Sequence, residues 1–187
     1  MAARIIPAFA RFPQEASIIG HLLAGYGELE FELYNCLKAV LDDGDAAMRT
    51  VFRTRGEEQR ILIADALMRG KFNAIGLIHP YAEAIADMGW CRRTRNQFAH
   101  CHWAVLYGQL AFTNLEEAAK SPVGRVTITL HPISLTLLQE QADYFWYVME
   151  CFWHLSHEYQ RLVGRLQSHT FPLPTKLARP LRHSATP

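Results

Sequence analysis

Between Leu135 and Leu162 apolar side chains return every three or four residues: Leu135, Leu138, Ala142, Phe145, Val148, Met149, Phe152, Leu155, Tyr159 and Leu162. That period puts them along one side of an α-helix, so the segment from about Pro132 to Gln167 is expected to be one long helix with an apolar neighbour over its stripe. A second stripe, Ile18, Leu22, Leu29, Leu33, Cys36, Leu37 and Val40, predicts a helix from about Glu15 to Leu41. Two such helices in a chain of 187 residues set the expected class: an all-α, up-and-down helical bundle with short connections.

The intervening sequence fits this plan. Asp42-Asp43-Gly44 is expected to close the first helix, with Gly44 in the left-handed conformation. Asp45 is a good cap for a short helix through about Phe52. A third helix is predicted from about Glu57 to Arg69, stopping at Gly70. Asn73 opens the next element, in which Pro80 suits a first helical turn and a continuous pattern runs to about His100. The period then changes. Trp103–Tyr107 and Leu110–Thr113 flank Gly108-Gln109 as a short β-hairpin excursion before the last long helix. Arg125–Leu130 alternates apolar and polar residues and suggests one more short strand, and Asn114–Ser121 a helical turn. Residues 1–170 are therefore expected to form a single helical domain. Residues 171–187, with four prolines and Lys176, Arg179 and Arg182, are expected to form a basic, mobile tail.

Composition narrows the surroundings. The formal net charge is +1, so any attraction for nucleic acid must be local. Cys36, Cys91, Cys101 and Cys151 are scattered through apolar helical patterns, where a thiol acts as a small hydrophobe, and this points to a reducing compartment. No run approaches the roughly 18 apolar residues of a membrane span. A cytoplasmic protein without membrane contact is expected.

The fourth helix carries the chemistry. Advancing about 100° per residue from Arg92 places Arg95, Asn96, Ala99, His100 and Trp103 in one arc, next to Tyr81, Ala84, Ile85 and Met88. Arg93 and Thr94 fall outside it. Ionised groups on a face continuous with the core are costly unless paired with carboxylates, a partner chain or a bound anion. Glu28, Glu30 and Glu32 of the first helix are candidate partners.

Arg95-Asn96-x-x-Ala99-His100 resembles the Arg-x4-6-His motif of HEPN domains, in the variant with a polar residue after the arginine. Cys101 stands where many members of that family carry glycine. The layout is also similar, with a late helix ending in the motif, a variable excursion and a final long helix. The resemblance implies a metal-independent endoribonuclease needing no cofactor, built as a homodimer with two motifs facing one cleft. It also implies RNA or nucleotide phosphate as partner. Histidine can take or give a proton near neutral pH, and the arginine fork matches phosphate oxygens. His100 is thus expected as acid/base, Arg95 as phosphate clamp and Asn96 as orienting residue. Arg92 and Trp103 are expected to assist RNA binding. Many domains of this kind are instead non-catalytic binding or interaction modules in defence or toxin–antitoxin systems, so a partner protein is the other expectation. Cys91, His100, Cys101 and His102 do not have the spacing of a zinc site.

Overall fold

The structure, a computed structural model, describes residues 5–120, 127–168 and 170–184. It is mostly helical, with a small three-stranded antiparallel sheet. A single 3-10 turn at Pro7–Ala10 precedes α1 (Pro13–Leu41), α2 (Gly44–Arg53), α3 (Glu57–Ala74) and α4 (Ile78–Ala99). Strands β1 (His102–Leu106) and β2 (Gln109–Thr113), helix α5 (Leu115–Ala119), strand β3 (His131–Pro132) and helix α6 (Leu135–Leu162) follow.

The helix boundaries show which local rules won. Asp42, not Gly44, takes the left-handed position after α1, with φ 56°, and its N–H closes on the Lys38 carbonyl at 2.9 Å. Aspartate tolerates that conformation better than most residues. Asp43 rather than Asp45 caps α2, accepting from the Ala46 N–H at 2.9 Å. Helix α3 runs through Gly70 to Ala74. Phe72 is fully buried and stacks on Tyr81 at 4.4 Å, and that burial outweighs the roughly 1 kcal/mol a mid-helix glycine costs. Helix α6 starts later than its pattern suggests, because Pro132 pairs with Ala111 in the sheet and Ser134 Oγ accepts from the Leu137 N–H.

The hairpin forms one residue earlier than the Gly108-Gln109 turn expected. Tyr107 and Gly108 have φ 49° and 78°, as a two-residue turn with both centres left-handed requires. Of the predicted strand Arg125–Leu130, the first two residues lie outside the described residues and 127–130 join no ladder. The third strand is His131–Pro132, against Phe112 and Ala111.

The chain divides into two compact units that interleave in sequence. One holds the residues up to Ala24, Arg93–Tyr144 and the residues from Arg179 on; the other holds Gly25–Arg92 and Phe145–Ala178. In the first unit Phe98, Trp103 and Phe112 meet with ring centroids 5.6–5.7 Å apart, and Phe9 closes on Trp103 at 5.1 Å. This aromatic cluster seats the hairpin against the end of α4. The second unit is cored by Leu29, Leu33, Leu37, Met68, Phe72, Tyr81, Phe152 and Tyr159. Burial raises the Tyr81 hydroxyl far above its ordinary range, helped by its 2.9 Å hydrogen bond to Asp65.

Described residues of the C-terminal segment make specific contacts within each unit. In the first unit Gln97 Nε2 donates to the Arg182 carbonyl at 2.8 Å, and Gln141 Nε2 to the Leu181 carbonyl at 2.7 Å. The Ser184 N–H donates to the Pro132 carbonyl, and the His183 ring lies 4.3 Å from His131. In the second unit Lys176 pairs with Glu83 at 2.6 Å.

Candidate functional site

Helix α4 ends where the His100 N–H reaches the Asn96 carbonyl at 3.2 Å. Leaving the helix there puts the His100 side chain in solvent while Phe98, two residues earlier, is buried. The Cys101 thiol donates to the Phe98 carbonyl at 3.3 Å, and burial pushes its pKa up to about 12. It therefore works as a neutral group that closes the helix end.

Asn96 and His100, one helical turn apart, line an open pocket of about 380 Å³. Arg93 and Gln97 extend the same face by a turn, Asn114 and Glu116 come from the start of α5, and Arg182 comes from the C-terminal segment. The Asn114 carboxamide accepts from the Glu116 N–H at 3.0 Å, which fixes that rim. Two guanidinium groups and an imidazole thus face a single carboxylate. The electrostatics favour an anion, most of all one with several acceptor oxygens for planar guanidinium donors.

Arg95 is half-buried and acts one step back: its Nη1 donates to Asn96 Oδ1 at 2.9 Å. That bond orients the Asn96 amide at the pocket. Arg92 belongs to the other unit, where it pairs with Glu58 at 3.2 Å and is only 17% exposed. Trp103 is 8% exposed inside the aromatic cluster, where its ring meets Phe9, Phe98 and Phe112. Glu30 and Glu32 bind Arg60 and Asn35.

No family model, curated protein or solved structure matches this chain.

Five of the lining residues, Arg93, Gln97, Asn114, Glu116 and Arg182, were not among the expected site residues, and two of them are cations. Arg93 was legible, because Arg93, Gln97 and His100 follow helical i, i+4, i+7 spacing. Arg182 was not, since it meets Gln97 across 85 residues and no local pattern announces such a contact. Among the described residues, no group of three or more His, Cys, Asp or Glu side chains could hold a metal ion, and no helix is long and apolar enough to cross a membrane.

Proposed function

We propose that this chain is a HEPN-like protein, an up-and-down helical bundle in kind, that binds RNA phosphate at the end of α4 and cleaves RNA through its own 2′-hydroxyl. The observation that carries this is the convergence of Arg93, Asn96, His100 and Arg182 on one open pocket. In the reaction the 2′-oxygen loses its proton and attacks phosphorus. The bond to the 5′-oxygen breaks and that oxygen gains a proton, leaving a 2′,3′-cyclic phosphate and a 5′-hydroxyl. Nothing in this balance calls for a metal. The guanidinium groups stabilise charge on the phosphate oxygens, and His100 transfers a proton. Asn96, held by Arg95, orients the phosphate or the imidazole. One chain supplies one imidazole to the pocket, and a homodimer with two facing pockets would divide the acid and base roles between two copies. A cytoplasmic setting in a defence or toxin–antitoxin system belongs to the same proposal.

A non-catalytic interaction module is the second reading. It is favoured by Ile63 and Leu67, four residues apart on α3 and left 39% and 43% exposed, with Leu62 beside them at 52%.

Purified protein and its His100→Ala variant, incubated with a mixed RNA pool in EDTA, separate the two. Cyclic-phosphate ends that fall about 100-fold or more in the variant are expected for the nuclease. The melting temperature should stay unchanged, because the His100 side chain is exposed and makes no side-chain hydrogen bond among the described residues. Folded wild-type protein that leaves every RNA intact would favour the interaction module.

A further inference from the structure

A larger cavity, of about 440 Å³, lies in the other unit between the C-terminal turns of α1 and α6. That is the size of a small-molecule site, and nothing in the proposed ribonuclease chemistry uses it. We propose that it binds a nucleoside, held through its neutral, flat base.

The charge balance gives no preference for a phosphate. Lys38 and Arg165 face Glu32 and Asp42 in the lining, so the four formal charges cancel. Arg165 is committed to the rim, donating to the Ala39 carbonyl at 2.6 Å and standing 3.3 Å from Asp42 Oδ1. The lining takes in the carbonyl ends of α1 and α6 and also Gly44 at the N-terminus of α2, so the helix dipoles do not single out an anion. A neutral ligand suits this balance.

The walls suit a planar ring. Trp153 and Phe171 lie 5.6 Å apart, Phe171 meets His157 edge-on at 4.6 Å, and Trp146 braces Trp153 at 5.3 Å. Aromatic surface beside a polar floor is what a nucleobase uses, stacking on its face and hydrogen-bonding along its edge.

The floor holds unspent hydrogen-bonding capacity. His157 Nδ1 is buried without a hydrogen-bond partner among the described residues, a cost that a ligand would relieve. Asn35 spends its amide N–H on Glu32, and Gln160 spends its own on the Ser156 carbonyl. Each keeps its carbonyl oxygen and a second N–H, so the floor can pair with a base edge that carries both a donor and an acceptor. The larger face of a purine stacks more strongly on the aromatic wall than that of uracil. Arg165 and the Gln160 carbonyl, which accepts from the Arg165 N–H at 2.8 Å, hold the end of α6 in place around the cavity.

Calorimetric titration of the full chain with adenosine, adenosine monophosphate and uridine tests this. Adenosine should bind at least about tenfold tighter than uridine, and the monophosphate no tighter than adenosine. Asn35→Ala and His157→Phe should each weaken adenosine about tenfold or more, at melting temperatures within a few degrees of the parent. His157→Phe keeps a ring against Phe171, and Asn35 is only half-buried, so at least one variant should fold. His100→Ala should leave adenosine binding unchanged, which keeps this site distinct from the ribonuclease pocket. Absence of binding at millimolar adenosine overturns the proposal. So does affinity untouched by both variants, or tighter binding of the monophosphate that Lys38→Ala abolishes, which would make this a phosphate site.

Discussion

Trp103→Ala distinguishes a core tryptophan from an RNA-stacking one. The ring is 8% exposed and touches Phe9, Phe98 and Phe112. A tryptophan buries about 150–250 Å², and at about 25 cal/mol per Å² that corresponds to roughly 4–6 kcal/mol of transfer free energy. Core Trp→Ala changes generally cost about 3–5 kcal/mol, because some of the space collapses. A loss of about 4 kcal/mol is therefore expected. In a chain of this size each kcal/mol moves the midpoint by about 2–4 °C, so Tm should fall by roughly 8–16 °C. Thermal melts followed by circular dichroism give the shift. RNA binding, measured well below the lowered midpoint, should persist. A variant that melts within a degree or two of the parent but no longer binds RNA would refute the reasoning, and would place Trp103 on the ligand surface.

Arg182→Ala should weaken RNA binding and reduce the slope of log affinity against log salt by about one, the signature of a single lost phosphate contact. An unchanged slope would remove Arg182 from the site. Glu30→Ala should cost about 3 kcal/mol in urea unfolding, since it removes the carboxylate from the Arg60 guanidinium and leaves it the Nε bond to the Thr54 carbonyl. That guanidinium makes 2.8 and 2.9 Å bonds to Glu30, and the two side chains are 23% and 11% exposed. A loss below about 1 kcal/mol would mean the pair behaves as a surface bridge. Stability should also fall in alkali. Burial raises the Cys101 thiol to about 12 and the Cys36 thiol further. A folded pKa above the unfolded value of about 8.5 means the contribution is complete below about pH 8.5 and is lost as pH rises towards 12. Cys101→Ala should flatten that decline in a denaturation series from pH 8 to 11, and a decline of the same steepness would count against it.

How far the sequence reached can be judged residue by residue. The stripes of α1 and α6 were legible because a 3.6-residue period is a local property that any long helix with one buried face must show. The hairpin was legible for the same reason, through its alternation and its glycine. Asn96 and His100 came together on one pocket because helical spacing alone places them one turn apart. What the sequence could not settle depended on partners far along the chain. Gly70 reads as a stop, yet Phe72 is buried against Tyr81 and Tyr159, and that carries α3 onward. Trp103 shares an arc with the motif on a helical wheel, but the chain leaves the helix at Ala99 and turns the ring into the aromatic cluster. Arg182 sits in a stretch whose prolines read as mobile. Gln97 and Gln141, both buried, capture its backbone carbonyls, because a buried amide must find a hydrogen-bond partner wherever the fold supplies one. Local periodicity thus set the helices and brought Asn96 and His100 to the pocket, while long-range burial and hydrogen-bond satisfaction brought Arg182 to it.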